Sequence, residues 1–547
     1  MRLIKKLTAL LLVLAVLATV GCGSCSKKNG GGNEEPDGEF SIKDDKLKAA
    51  PAVADHNRVF YEIFVGSFSD SDRDGTGDLR GIINRMDYLN DGDPDSGRSL
   101  GVEGLWLSPI FQSPSYHKYD VTDYYRIDSK FGTEADLKEL LDLCHERGVI
   151  VILDLPINHT GRLNSWFLSF SNAHKDGDTA NEYYDFYTWY DGTVESAPAG
   201  RQFSQIPGTR HYYECNFAGD MPELNYDSPA VRQAVVDIAN YYIDLGVDGF
   251  RFDVAKYVYF NDNAACMEFW TWYLGTLRSK KADIYTVAEV WDGDGITDLY
   301  FPAMNCFNFT ISGPSGLIGE IAKGGNASRF ASYVEAYQKR VGAMRDGAAI
   351  TPFITNHDMD RAAGFLTPAS GYAQMAANLY ILGPGTPFIY YGEELGMCGS
   401  RGGASTDANR RLAMIWGDED TVKDPVGATY PASSQIKSTA ADQMKNENSL
   451  YNYYKKLLMI RRANPEIARG DYKAVSFDGI KAGGFISTYN GSSVLVIHNT
   501  TGADVEIDLS QVSGISVTEL RAVIGLGGAT LNGTTLTLEA QTSAVLK

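Results

Sequence analysis

Three carboxylates stand just past the ends of short apolar runs: Asp253 after Gly249-Phe250-Arg251-Phe252, Glu289 after Val287-Ala288, and Asp358 after Thr355-Asn356-His357. Carboxylates so placed suit the cleavage of a glycosidic bond. With retention of configuration, that reaction needs one carboxylate as nucleophile and one protonated carboxyl as acid, roughly 5–5.5 Å apart across the bond. Neighbouring strand ends can bring such a pair together. A second acidic group is Asp70-Ser71-Asp72-Arg73-Asp74-Gly75-Thr76-Gly77-Asp78, with oxygen ligands at alternate positions and Gly75 where a tight turn is needed. That spacing is like an EF-hand calcium loop, with Asp70, Asp72, Asp74, the Thr76 carbonyl and Asp78 as ligands for a structural Ca2+. Four carboxylates this close repel one another strongly without a cation; the competing reading is a solvated acidic turn.

The elements that must position these groups alternate along the chain. Runs at 59–65, 102–107, 149–153, 247–252, 284–288, 304–311, 350–354 and 386–391 are short and rich in β-branched or aromatic residues, as buried parallel strands are. The segments between them read as helical. Thr133-Glu134-Ala135-Asp136 has the form of a capping box, Leu137, Leu140, Leu141 and Cys144 keep a helical spacing, and Gly148 supplies a stop. Eight strands alternating with helices predict an α/β fold, a (β/α)8 TIM barrel whose site lies at the carboxyl ends of the strands.

Five segments occur in one order: Asp154-Leu155-Pro156-Ile157-Asn158-His159, Met221-Pro222-Glu223-Leu224-Asn225, Gly249 to Asp253, Glu289 in its strand, and Asn356-His357-Asp358. With them the chain resembles α-amylase-type enzymes of glycoside hydrolase family 13, from about Val59 to the C-terminus. The resemblance implies that Asp253 is the nucleophile, Glu289 the general acid/base and Asp358 the stabiliser of the distorted sugar. Arg251, two residues back on the same strand face, is expected to hold Asp253 charged, and neighbouring carboxylates to keep Glu289 protonated. His159 and His357 would donate to sugar hydroxyls, and Tyr119 would offer its ring to the apolar face of a sugar. Asp120 and Arg411 resemble the pair by which exo-acting members grip a non-reducing end. Lys256 resembles a leaving-group contact of α-amylases, and Val254 resembles the residue that oligo-1,6-glucosidases carry after the nucleophile. The acidic loop resembles the one after the first barrel strand in oligosaccharide-cleaving members, where the ion is structural. Tyr257 replaces the His of the calcium site that joins barrel and insertion in the family's α-amylases, a departure from that site.

Composition and ends set the context. At 547 residues, 44% of them hydrophobic, the chain exceeds one barrel and has apolar content for further cores. Residues 1–22 read as a lipoprotein signal peptide, with a basic start, an apolar stretch and Cys22 as the lipid-attachment site; the alternative is an ordinary signal peptide and a released protein. Residues 23–50 read as a flexible tether, 51–470 as the catalytic barrel, 161–225 as a domain inserted after strand 3, and 471–547 as an all-β C-terminal sandwich. The expected location is a bacterial membrane or cell surface, reached through a lipid anchor. The 7 cysteines are scattered and form neither a disulfide framework nor a metal cluster. A formal charge of −20 argues against nucleic acid and anionic membranes as partners, but does not repel a neutral α-glucan. The cluster Tyr183, Tyr184, Phe186, Tyr187, Trp189 and Tyr190 serves either sugar contact or packing. The determinants are mixed. They lead to a retaining α-amylase that cleaves α-1,4 bonds in starch and maltooligosaccharides, with an oligo-1,6-glucosidase or neopullulanase-like hydrolase as the alternative. A transglycosylase, or a glucan-binding lipoprotein without catalysis, stands further off.

Overall fold

The structure, a computed structural model, describes residues 41–42, 57–403 and 406–547. The predicted apolar runs become the parallel strands Phe60–Ile63, Gly104–Leu107, Ile150–Leu155, Gly249–Phe252, Tyr285–Ala288, Asn305–Cys306 and Phe388–Tyr390 of one sheet. Between Asn305–Cys306 and Phe388–Tyr390 lies segment 351–353, bridged in parallel from Thr351 to Phe307 and from Phe353 to Phe388. It is the seventh of eight strand positions and closes the ring. Pro352 in its middle has no N–H to give a ladder, which explains why only bridges form there; its carbonyl still accepts from Phe388 N at 3.0 Å.

Both faces of these strands are buried, as a parallel sheet covered by helices requires. Phe60, Trp106, Ile152, Tyr285, Val287, Phe307, Phe353 and Phe388 fill the interior, where Phe60 and Phe388 stack with centroids 4.7 Å apart. The alternate residues, Tyr61, Leu105, Val151, Phe250 and Phe252, belong to the larger core under the surrounding helices. This period of two puts a second set of residues on the interior face at the strand ends: Glu62, Asp154, Arg251, Asp253 and Glu289. Around the sheet, the helix Glu134–Glu146 starts on the Thr133/Asp136 capping box, buries Leu137, Leu140, Leu141 and Cys144, and is followed by Gly148 in a left-handed conformation. Cys144 is core, its thiol pushed up to about 12 by burial.

The insertion after the third strand carries the helix Ser165–Asp176 and a sheet in the order Trp189–Asp191, His211–Glu214, Phe203–Gln205. A bridge from His159 to Glu223 joins its base to the end of the third strand, and one from Tyr187 to Leu224 ties the insertion to itself. Its aromatic cluster is mainly packing. Tyr187 and Phe186 are buried against Phe167, Phe170 and Trp166, and Trp189 packs on His174. At the C-terminal end, strands from Asp471–Ser476 to Thr542–Leu546 form an antiparallel sheet facing a second sheet of three strands, with Leu495, Ile497, Ile507, Leu536 and Leu538 between them.

The stretch expected to be a free tether departs from that reading at Ser41–Ile42, which pairs antiparallel with Val523 and Ala522. The edge strand Leu520–Gly525 offers unpaired N–H and C=O groups there, and a short extended segment satisfies them. The signal segment, Cys22 and the rest of 23–50 lie outside the described residues. Among the described residues no helix is long and apolar enough to cross a membrane.

Candidate active site

Register places the chemistry. Arg251 lies beside Asp154 in one neighbouring strand and Val287 in the other, and Phe252 lies beside Ala288. Asp253 and Glu289 therefore leave adjacent strand ends side by side, with Glu289 N donating to Phe252 O at 2.9 Å. One guanidinium joins them. Arg251 NH1 is 2.8 Å from Asp154 Oδ1 and 2.5 Å from Asp253 Oδ1, and NH2 is 2.9 Å from Glu289 Oε2. Arg251 is fully buried, so its charge is spent on carboxylates and it does not reach a sugar.

Electrostatics separates the two acids. Burial raises the Asp253 carboxyl to about 6, and Arg251 offsets only part of that rise, against Asp154 and Asp358. Arg251 thus does not pull Asp253 below the ordinary carboxylate range; desolvation of a completely enclosed group outweighs one shared cation. Burial also raises Glu289, to about 7, with Asp253 and Asp358 adding to the rise and Arg251 opposing it. Near neutral pH the arrangement holds one ionised and one protonated carboxyl side by side.

Asp358 behaves in the opposite way. Burial would raise it, but His357, Arg411 and Arg251 hold it well below the ordinary carboxylate range. Arg411 NH2 donates to its Oδ1 at 2.6 Å, and His357 Nε2 lies 3.0 Å from Oδ2. His357 is wholly buried with both ring nitrogens engaged, Nδ1 on Glu62 Oε1 at 2.6 Å and Nε2 shared between Asp358 and Tyr119 OH at 2.7 Å. Direct donation from His357 to a sugar is therefore not what this geometry provides. Tyr119 stacks on the His357 ring and donates from its hydroxyl to Asp154 Oδ2 at 2.9 Å.

The remaining expected contacts divide. His159 is buried against Phe217, its ring nitrogens lack well-aligned partners, and burial lowers it to about 4. It is a neutral ring with hydrogen-bonding capacity to spare. Lys256 Nζ donates to Trp291 O at 2.9 Å and Asp292 Oδ2 at 3.0 Å. With Phe217, Val254, Tyr257, Glu289 and Trp291 it lines a cleft of about 260 Å³ on one side of the acid. Asp120 and Arg411 each have their own protein partners. Asp120 accepts from Ser113 Oγ at 2.6 Å and from Ser115 Oγ, whereas Arg411 is drawn to Asp358 and Tyr116. The two nearby hydroxyls satisfy Asp120 without a cation. Beyond Tyr116 and His117 a larger cavity of about 1000 Å³ runs toward Leu163 and Val426, without reaching the carboxylates themselves.

Val254 holds a backbone outlier, a β-branched residue at φ 37° and ψ 47°, a region L-residues enter at a cost. Its N–H donates to Glu289 Oε2 at 3.0 Å.

In the acidic loop, one carboxylate oxygen each from Asp70, Asp72 and Asp78 lies within 4.8 Å of the others. Asp74 is not of this group; its Oδ1 accepts from Thr76 N at 2.6 Å, so of the four predicted carboxylates three come together. Asp78 also caps the helix Leu79–Asn84. The donors are all hard oxygens, which fits a Ca2+ ion.

Sequence reasoning missed Glu62, Tyr116, Phe217 and Trp291. A Glu within the apolar run Phe60-Tyr61-Glu62-Ile63 is a usable signal, because an ionisable residue in a buried strand needs a partner. Trp291 stands two residues past Glu289 and is 45% exposed, stacked on Phe309. Phe217 and Tyr116 reach the cleft on loops, and nothing in their local sequence marks them.

Residues 62–470 match the family described as alpha amylase, catalytic domain, and residues 483–545 match the alpha-amylase SusG C-terminal domain. The chain is 34% identical to Alpha-amylase 3 of Dictyoglomus thermophilum, over 81% of this chain and 84% of that protein. It is 28% identical to an oligo-1,6-glucosidase of Bacillus cereus, over 84% of this chain and 93% of that protein. Among solved structures it is similar to Eubacterium rectale Amy13B, with a TM-score of 0.82 and 33% identity, covering 92% of this chain and 97% of that one.

Proposed function

The chain belongs to the α-amylase family, glycoside hydrolase family 13, whose enzymes act on α-glucans, and from that premise we propose that it hydrolyses α-1,4-glucosidic bonds in starch and maltooligosaccharides with retention. The observation that carries this reading is the single buried guanidinium between Asp253 and Glu289, two carboxyls of unlike proton affinity on adjacent strand ends. So close a pair favours the short spacing of roughly 5–5.5 Å over the wider gap, about 6.5–9.5 Å, of inverting enzymes.

In the first step Glu289 gives its proton to the glycosidic oxygen as the bond from that oxygen to the anomeric carbon breaks. An Asp253 oxygen forms the new bond to that carbon. In the second step Glu289 takes a proton from water, and the water oxygen displaces Asp253, which leaves as a carboxylate. Asp358, ionised throughout, stabilises the positive charge that builds on the ring. The hydrogen bond from Val254 N keeps the Glu289 carboxyl turned toward the cleft. Lys256, Tyr257, Phe217 and Trp291 would meet the leaving group, with the aromatic rings against sugar faces. Tyr119, Asp120, His159 and Arg411 would serve the other side of the bond.

Asp70, Asp72 and Asp78 would hold a Ca2+ ion, which neutralises the loop and so stiffens the chain between first strand and first helix. Export and lipid attachment at Cys22 complete the reading, with the enzyme held at a bacterial membrane or cell surface where glucans arrive from outside.

Chromatography of products from soluble starch, maltoheptaose, panose and pullulan tests the assignment. Early mixed maltooligosaccharides from starch are expected. Val254 beside the nucleophile favours the α-1,6 alternative; glucose from panose with little action on starch would establish it and overturn the α-1,4 assignment.

A further inference from the structure

Glu62, third residue of the wholly buried first strand, sets its side chain on the barrel interior and is only 2% exposed. It is a charged residue among Trp106, Phe388 and Phe60, and burial pushes its carboxyl up. Its contact explains its presence: Oε1 lies 2.6 Å from His357 Nδ1. On the far side of that ring, Nε2 faces Tyr119 OH at 2.7 Å and Asp358 Oδ2 at 3.0 Å. The Tyr119 hydroxyl already gives its proton to Asp154, so toward His357 it accepts. Nε2 is thus met by two acceptors and Nδ1 by a third. Only a ring carrying a proton on each nitrogen satisfies all three.

We propose that Glu62 is a positioning residue of this site: it keeps His357 a two-armed donor, and through that ring holds Asp358 ionised and oriented toward the cleft. This rests on the glycosidase reading of Asp358. A neutral ring would turn a lone pair toward one of its two carboxylates, and if it kept its proton on Nδ1, Asp358 would lose a donor. The groups facing the ring are Glu62 from the first strand, Tyr119 from the loop between the second and third, Asp154 from the third, Arg251 from the fourth, Asp358 beside it, and Arg411, whose Nε donates to the His357 carbonyl at 3.1 Å. Tyr390 faces Glu62 from the last strand. Burial alone would lower the His357 pKa, but Asp358 and Glu62 outweigh it and raise it to about 10. Removing one of two carboxylates lets desolvation pull that value back toward neutrality.

Glu62→Gln in the full chain keeps the side-chain shape and an oxygen acceptor while removing the charge. The direct readout is the spectrum of ¹⁵N-labelled histidine rings, with the His357 signal identified by its loss in His357→Asn. In the unsubstituted enzyme both nitrogens should stay protonated from about pH 5 to about pH 8, and in Glu62→Gln the ring should titrate within that window. The kcat of Glu62→Gln should fall about tenfold further at about pH 8 than at about pH 5.5, relative to the unsubstituted enzyme. A His357 ring that is neutral at pH 7 in the unsubstituted enzyme would overturn the proposal even if the variant failed to fold. Equal ring titration in both proteins, with a loss of activity independent of pH, would overturn it too. Ring spectra as expected in an enzyme with no glucan hydrolysis would instead remove the glycosidase reading and leave the Glu62–His357–Asp358 arrangement standing.

Discussion

The barrel mouth and the loop after the first strand both crowd carboxylates, and they surround them with different partners. At the mouth, the buried Glu62, Asp154, Asp253 and Glu289 and the partly exposed Asp358 meet Arg251, His357 and Arg411, cations from the protein itself. In the loop, Asp70 accepts backbone N–H groups from Asp72, Arg73 and Gly75, and Asp78 accepts from Ser71 and Gly81. Arg73, the basic residue of the loop, turns outward to Glu419 at 3.6 Å. Backbone dipoles orient carboxylates without cancelling their charge. The mouth is therefore built to tune proton affinities in a fixed frame, and the loop leaves its carboxylates charged, as the proposed Ca2+ site requires.

The largest difference should appear in turnover. Asp253→Asn or Glu289→Gln is expected to lower kcat by about a thousandfold or more while glucan binding survives, whereas Asp70→Asn in excess calcium should cost no more than a few fold. Near-normal turnover in Asp253→Asn would remove the nucleophile assignment. Next in size is the cation each region supplies. Arg251→Met leaves three buried carboxylates facing one another and should cost roughly 3–5 kcal/mol of stability, or prevent folding. Arg73→Met, at an exposed pair, should stay within about 0.5 kcal/mol in the same denaturant titration. A small loss in Arg251→Met would show that the mouth is not held by its guanidinium.

The pH profile sharpens the contrast further. Activity requires Asp253 ionised and Glu289 protonated, so kcat/KM should rise as Asp253 loses its proton near 6 and fall as Glu289 loses its own near 7. Glu289→Gln, in the residual activity that remains, should lose the alkaline limb and keep the acid one. Smallest is the expected response of the loop. A chelator should lower the melting temperature by a few degrees, an effect abolished by Asp70→Asn and kept by Asp74→Asn, whose carboxylate lies outside the cluster. An unchanged transition in excess chelator would count against a bound cation.

The barrel was legible because its strands are buried on both faces and read as unbroken apolar runs; all eight runs form strand positions, 351–353 among them despite Pro352. The carboxylates were legible because each follows such a run. What the sequence conceals is the sum of environments. Arg251 beside Asp253 in sequence suggests a charge partner, but the chain does not disclose that the same guanidinium also serves Asp154 and Glu289, or that all of them are desolvated. Glu62 escaped notice because its partner is 295 residues away. Ser41–Ile42 escaped because an edge strand has no local signal for what will pair with it.

Retention at the anomeric carbon tests the central claim most directly, because it depends on Asp253 attacking carbon with Glu289 at close range. Proton NMR of maltoheptaose in the first minutes of hydrolysis, before mutarotation, distinguishes the two anomers of the new reducing end. The account predicts that the α-anomer appears first. Initial appearance of the β-anomer would mean that water attacks directly, and would contradict the assignment of Asp253 as nucleophile.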